Sequence, residues 1–275
     1  MSKWDAKISA AILRIKNGWS FSRYSVYKLC PAKARYQIID KLPQGDAPPL
    51  DRGSLIHKQA ECYIKGEAMP YVDEAWTTFP KLNKDGSIPE GMKMIKAGVM
   101  PPQLARFRLM LDQARDRYKK KALAALVEGT WAFTKDWEVC SPTDWDRCWL
   151  RIKVDYAHEE KGQILFIKDW KTGKFNDRDN EAYLQTLQLY SLGGMLAMPH
   201  IKEARPSLVY LDQGLIHPPV DEEPLIYTRA DIPKLKKLWT ERAAPMFADT
   251  VFAPRPNDKC RWCAYSKVKG GPCQY

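Results

Sequence analysis

Apolar positions recur at helical spacing toward both ends of the chain and at two-residue spacing in its middle, and this change of period marks out the elements. Residues 6–16 read as a short helix, and "SFSRYSVYKLCPAKARYQII", from Ser20 to Ile39, as a second helical stretch with Ser22 or Ser25 near its start. "APPLDRG" (47–53) reads as a loop, and "SLIHKQAECYIKG" as a helix ending at Gly66. That helix carries His57 and Glu61 at i and i+4, hence on one face. Residues 67–100, rich in Pro, Gly and Lys, read as an irregular insertion. From Pro101 to Gly129 the apolar spacing predicts one long amphipathic helix with proline in its first turn.

The period then drops to two. "TWAFTKDWEVC" (130–140), "CWLRIKVDYA" (148–157) and "QILFIKDWK" (163–171) are runs rich in aromatic and β-branched residues, and "HEEKG" joins the last two as a hairpin connection. In the second run Leu150, Ile152, Val154 and Tyr156 alternate with Arg151, Lys153 and Asp155, which places Asp155 on a polar, basic face. In the third, Asp169 and Lys171 share one face and Trp170 takes the other. "RDNEAYLQTLQLYSLGGMLAM" predicts a helix, "SLVYLDQGLI" one or two strands and "DIPKLKKLWTERAAPMF" a last helix. No internal repeat or low-complexity segment is present.

Composition narrows the class. A chain of 275 residues with 45% apolar content has the material for a substantial core. No run reaches the ~20 apolar residues that span a bilayer, and the first residues carry charges within their short apolar run and no cleavage pattern. The expected location is therefore cytosolic, with no membrane partner. Lys and Arg outnumber Asp and Glu by 44 to 33, a formal net charge of +11, with clusters at Lys119–Lys121 and at Lys234, Lys236 and Lys237. Such a surface suits a polyanionic partner; a merely solvated basic surface is the other reading.

Seven cysteines in a reducing compartment do not make a disulfide framework. Cys62, Cys140 and Cys148 sit among apolar or aromatic neighbours and read as buried free thiols. Cys260, Cys263 and Cys273 crowd the tail, and Cys30 lies in "YKLCPAKARY" far upstream. Besides inert thiols, two readings are open for these four: as thiolates, two of them in Cys-x-x-Cys spacing, they can hold zinc or an iron-sulfur cluster, and the spacing suits both. In "LFIKDWKTGKF" two readings stand side by side. Asp155, Asp169 and Lys171 in one cleft would supply two hard oxygen ligands for a Mg²⁺-like ion and a cation beside an attacking water or a phosphate oxygen; alternatively Asp169 and Lys171 are strand-end surface charges before a Thr-Gly turn.

His57 in "GSLIH", Asp155 in "IKVDYA", the run "KDWKTGK" and the helix with Gln185 and Tyr190 together resemble the RecB-like branch of the PD-(D/E)XK nuclease superfamily. With the four cysteines the chain is more similar to its iron-sulfur members, the AddB-type nuclease domain and the CRISPR-adaptation exonucleases. From Ser25 to Cys273 the resemblance implies one nuclease domain over 1–275: N-terminal helices (1–66), insertion and long helix (67–130), nuclease core (131–230), and last helix with cysteine-rich tail (231–275). It implies an α/β, restriction-endonuclease-like core of mixed sheet flanked by helices, its terminal segments joined by a four-iron four-sulfur cluster on Cys30, Cys260, Cys263 and Cys273. His57, Asp155, Asp169 and the carbonyl of Trp170 would hold Mg²⁺ or Mn²⁺, Lys171 would be the catalytic lysine, and Glu61 would support His57. The family's Gln four residues before a Tyr is Thr186 here; Gln185 and Gln188 flank it, which leaves open which of them acts, if either, with Gln185 as the catalytic candidate. A Gly often found three residues before the first aspartate is Ile152. The implied activity is metal-dependent DNA cleavage, with DNA as single strands or duplex ends, a helicase or a recombination or adaptation protein as partner, and phage or CRISPR-like settings. The alternative is a catalytically inactive nucleic-acid-binding subunit of a larger assembly. A zinc-stapled interaction protein is the third class.

Overall fold

The computed structural model describes residues 18–120, 125–176, 180–219 and 221–275. The helix expected over 6–16, and Lys121, lie outside the described residues. The chain divides into two compact units, one formed by the stretches up to Asp46, Thr130–Ile152 and Asp231–Tyr275, the other by Ala47–Gly129 and Lys153–Ala230.

Helix α1 (Phe21–Leu29) is capped by Ser20, whose side chain accepts the N–H of Arg23, and not by Ser22 or Ser25. The expected continuous helix breaks at Cys30, where extended backbone precedes Pro31; one α-turn (Pro31–Ala34) and one π-turn (Arg35–Ile39) follow. Helix α2 (Pro48–Lys65) begins inside "APPLDRG", which is therefore not a loop. Its prolines occupy the first turn, where the missing N–H would have had no partner and the fixed φ suits a helix. At its other end Gly66 takes φ +78° and returns its N–H to the carbonyls of Cys62 and Tyr63. Gly66→Ala is expected to cost about 1–2 kcal/mol, the penalty of a side chain in the left-handed region; a urea melt with unchanged slope checks it.

The insertion pairs β1 (Met69–Pro70) with β2 (Met94–Ile95). The long helix expected over 101–129 is shorter: a 3₁₀ segment, Pro102–Phe107, leads into α3 (Arg108–Lys119), and by Leu126 the chain is already in β3 (Leu126–Phe133). Then come β4 (Leu150–Glu160), β5 (Ile164–Lys171), α4 (Asn180–Ala197), β6 (Glu203–Tyr210), β7 (Leu215–His217), β8 (Tyr227–Thr228) and α5 (Ile232–Ala248). This is an α/β fold with a mixed sheet flanked by helices. Its strand order is β3-β4-β5-β6-β7, with β8 also on β6. β4 and β5 are antiparallel, whereas β5 and β6 are parallel and need the crossover that α4 supplies.

In the second unit, apolar faces of α2 and α3 cover one side of the sheet: Ile56, Tyr63 and Leu111 pack with Tyr156, Trp170 and Val209. On the other side Leu187 of α4 packs on Leu208 and Tyr210. A sheet buried on both faces suits its parallel centre. The parallel register Asp169↔Leu208, Trp170↔Val209, Lys171↔Tyr210 puts Trp170 in the first core and Asp169 and Lys171 on the α4 side, the face-sharing that the alternation predicts.

The first unit has an aromatic core. Trp19 packs edge-on against Trp149 at 5.4 Å and tilted against Trp239 at 6.0 Å, and Trp149 stacks on Phe247 at 5.8 Å. Backbone bonds from Trp19 N–H to Trp149 (2.8 Å) and from Arg151 N–H to Trp19 (2.8 Å) fasten the segment before α1 beside Leu150. Among the described residues no helix is long and apolar enough to cross a membrane.

Candidate active site

The antiparallel ladder between β4 and β5 ends at Tyr156↔Lys168, and one step beyond it stand Asp155 and Asp169. Here the strands part. Asp155 Oδ2 accepts the N–H of Trp170 at 2.7 Å, so a side chain replaces a ladder bond and the carboxylate is fixed by backbone. Asp169 is buried and ion-paired with Lys171, and Tyr190 lines the cavity close enough to feel its charge. The Lys171 ammonium also lies 5.2 Å from the centre of the Tyr183 ring.

Helix α2 brings His57, whose Nδ1 is 3.4 Å from Asp155 Oδ1. His57, Asp155, Asp169, Trp170 and Lys171 line one cavity of about 620 Å³ within the second unit. The structure thus brings five of the six expected residues together. Gln185 is not among them: it is buried on α4 and donates to Glu181 at 2.6 Å. Five positions at 3.6 residues per turn put it ~140° around the helix from Tyr190, and it is Tyr190 that lines the cavity. Glu61 lines the cavity too, but it pairs with Lys58 (2.9 Å) and Lys65 (2.6 Å) rather than supporting His57.

Glu128, on β3, is the residue that sequence reasoning missed. A carboxylate oxygen of Glu128, a ring nitrogen of His57 and an oxygen of Asp155 lie within 4.8 Å of one another. Glu128 has φ +54°, a left-handed backbone that costs a non-glycine residue free energy and here aims its side chain into the cavity. One oxygen meets Lys153 at 2.7 Å, while the other, Oε1, is buried without a hydrogen-bond partner. The sequence signal for it is faint: one acid before Gly129 at the mouth of an aromatic run.

The charges are unbalanced. Burial, with repulsion from Asp155, raises the pKa of Asp169 even against Lys171, and burial with the same repulsion raises that of Glu128. Burial would also raise Asp155, but His57, Lys171 and the Trp170 N–H outweigh it and hold that carboxyl low. Burial pulls on His57 and Lys171 in the opposite sense, and the surrounding carboxylates overcome it, so both are raised. Tyr190 is pushed well above its ordinary value by burial and then by Asp169 and Asp155, which keeps its hydroxyl a donor. Three carboxylates, two of them straining toward protonation, an imidazole and an orphaned buried oxygen fit a hard divalent cation.

The run read as a hairpin connection begins inside β4, where His158 is buried, and His217 ends β7. Burial, then Arg117, lowers the pKa of His158 to about 4. Cys62 and Cys148 are buried thiols with pKa pushed to about 11 by burial, and Cys140 is only half-buried.

In the first unit Cys30, Cys260, Cys263 and Cys273 line one cavity. Backbone N–H groups point at two of the sulfurs, Arg255 at Cys30 (3.4 Å) and Asn257 at Cys260 (3.3 Å), an arrangement that steadies negative charge on sulfur. Asn257 also reaches the carbonyl of Leu29 (3.4 Å), and Tyr265 that of Leu42 (3.1 Å), which brings the tail against the α1 segment. At Gly271 a Cβ would lie 2.3 Å from the Tyr265 backbone, so only glycine lets the chain return to Cys273.

The model of the PD-(D/E)XK nuclease superfamily matches residues 18–268, and the chain belongs to that superfamily. Membership implies a divalent-metal-dependent phosphodiesterase. Among solved structures it is similar to the crystal structure of SSO0001, at 10% identity over 98% of this chain and 96% of that one, with a TM-score of 0.37. It is similar also to a "Putative exonuclease" from Eubacterium rectale, at 10% identity over 90% and 88%, with a TM-score of 0.41. No curated protein matches the chain.

Proposed function

We propose that the protein is a metal-dependent deoxyribonuclease of the RecB-like branch, an exonuclease acting on single-stranded DNA or DNA ends, with a four-iron four-sulfur cluster in its cysteine tail. The observation that carries the reading is the convergence, at the parting of β4 and β5, of His57, Glu128, Asp155, Asp169 and Lys171. Mg²⁺ or Mn²⁺ would be held by His57, Asp155, Asp169 and the Trp170 carbonyl, with Glu128 as a further oxygen donor. When bound it supplies Lewis-acid polarisation of a phosphoryl oxygen and a water of lowered pKa. Lys171, kept protonated by Asp169, sets a fixed positive charge where the phosphate oxygens gain charge. Tyr190 lines the same cavity, its hydroxyl kept protonated by burial and by Asp169 and Asp155.

For the cysteines the donor chemistry, four thiols around one cavity with N–H groups aimed at sulfur, supports a bound metal centre; the family resemblance favours iron over zinc. Its place in a recombination, phage or CRISPR-like process, with a helicase or adaptation protein as partner, is part of the same proposal.

The test uses end-labelled and circular DNA, single- and double-stranded, with Mg²⁺, Mn²⁺ or chelator. Cleavage is expected to need the metal and a free end. Glu128→Gln should raise the metal concentration for half-maximal rate by about tenfold, the lower end of what losing a supporting group costs a metal site. Cleavage of circles at the same rate would refute the exonuclease reading, and no cleavage of any substrate would favour the inactive binding subunit.

A further inference from the structure

Of the residues that converge at the metal site, His57 alone stands outside the sheet. Glu128, Asp155, Asp169 and Lys171 belong to β3, β4 and β5, whose spacing the strand pairing sets, whereas His57 comes from α2. The apolar contacts that bed α2 on the sheet, Ile56 and Tyr63 among them, have no directional preference, so they do not by themselves fix the helix along its axis. A directional contact lies five residues before His57. Arg52 donates from Nε and Nη2 to the two oxygens of Glu74, at 2.8 and 2.9 Å, and from Nη1 and Nη2 to the two oxygens of Asp212, both at 2.9 Å. Asp212 stands in the turn after β6, and its Oδ2 also accepts the N–H of Gly173 at 2.7 Å, two residues past Lys171. Its neighbour Leu211 donates its N–H to the carbonyl of Lys171 at 2.9 Å.

Beside this clamp the helix meets the exit of β5. A Cβ at Gly53 would lie 2.8 Å from Thr172 Oγ1, so the crossing is close enough to need a glycine. Gly53 and His57 are four residues apart and hence on one face of α2, and Thr172 follows Lys171 directly. The crossing therefore sits between the histidine and the lysine of the site. Glu74 is braced as well: the Gln103 amide donates to it at 3.0 Å and to the carbonyl of Val72 at 3.1 Å. Four of the five N–H donors of Arg52 are engaged with carboxylates, which leaves little of its fork for a phosphate. The bonds to Glu74 and Asp212 hold the guanidinium pKa up, and Arg52 holds Glu74 low; at Asp212 burial pulls upward, but Arg52 and the Gly173 N–H outweigh it.

We infer that Arg52 and Asp212 are positioning residues for the metal site: the guanidinium fork ties the first turns of α2 to the exit of β5 and so sets where His57 stands relative to Asp155 and Lys171. Neither residue lines the catalytic cavity, so both act through others. The inference rests on the metal-site reading given above.

The test measures Mn²⁺ binding through the electron paramagnetic resonance signal of the free ion, a readout that needs no cleavage. Arg52→Ala should weaken binding by about tenfold, the lower end of what a supporting contact contributes to a metal site. The direction is decisive, because removing a cation would by its charge alone strengthen the binding of another cation. Arg52→Lys keeps the charge but cannot fork onto both carboxylates, so it should weaken binding too, and it carries the comparison if Arg52→Ala does not fold. In a His57→Ala background, where Asp155, Asp169 and Glu128 remain, a change at Arg52 should have no further effect, since the ligand carried by α2 is already gone. Unchanged or tighter Mn²⁺ binding in the Arg52 variants would overturn the inference. An equal further loss in the His57→Ala background would overturn it as well, by marking the clamp as structural. A wild type that binds no Mn²⁺ would remove the metal-site reading and this inference with it, whereas Mn²⁺ binding that responds to Arg52 in a protein that cuts nothing would uphold the clamp and remove only the nuclease reading.

Discussion

Asp169→Asn and Lys171→Ala each lower metal-dependent DNA cleavage by at least about a hundredfold, the scale of losing one fixed charge-stabilising group in a water-poor site. The two changes act differently. Lys171→Ala removes the ammonium that the carboxylates keep protonated, and it leaves Asp169 and Asp155 facing each other with less to offset them. Asp169→Asn removes a carboxylate whose charged form is disfavoured by burial and by Asp155, but it also takes from Lys171 the partner that keeps its ammonium protonated. Lost activity with an unchanged or higher melting temperature separates a functional from a structural role. Single-turnover rates at saturating Mg²⁺, beside melting curves without metal, read both. Wild-type rates in both variants would remove Asp169 and Lys171 from the reaction.

These two residues were legible in the sequence because strand alternation fixes which side chains share a face. Leu150 to Tyr156 alternate cleanly, and the structure keeps that pattern; Ile164 to Ile167 are all apolar, but the two-residue period still puts Asp169 and Lys171 on one face. Glu128 was hidden for the opposite reason. "ALAALVEG" continues a helical apolar spacing and is built from good helix formers, yet the chain enters β3 at Leu126, since pairing in the sheet outweighs local preference. The start of α2 was misread because Pro48 and Pro49 look like loop residues, although proline in a first turn costs a helix nothing. Gln185 shows a further limit: a helical pattern tells which residues share a face, but not which face the tertiary structure turns to the cavity. The cysteine quartet needed no such knowledge. Cys30 and the tail cysteines stand apart in the sequence, and they line one cavity although Cys30 and Cys260 are 230 positions apart.

That long closure makes Cys30→Ala the change with the largest expected effect on stability. The tail meets the α1 segment through side-chain bonds to backbone, Arg255 to Lys28, Asn257 to Leu29 and Tyr265 to Leu42, and through a ring contact, Tyr36 with Tyr265 at 5.5 Å. Each such bond is worth only about 1 kcal/mol net. A metal centre shared by Cys30 and three tail thiols would contribute far more, because its ligands come together only in the folded chain. Losing about 4 kcal/mol, the range that marks removal of a bound metal, would lower Tm by roughly 8–16 °C in a chain of this size. The freed tail would then be cut by trypsin after Lys259, Arg261 or Lys267, which are exposed. The anaerobically purified wild type should be brown and contain iron and sulfide, and the variant should have lost both. Zinc without iron in the wild type would keep the four-thiol site and replace the cluster. A Cys30→Ala protein as stable and as trypsin-resistant as wild type, with its metal retained, would take Cys30 out of the site. Normal stability with iron and activity both lost would instead assign the cluster a part in the reaction or in DNA sensing, since the cavity of His57 and Asp155 is built from other segments of the chain.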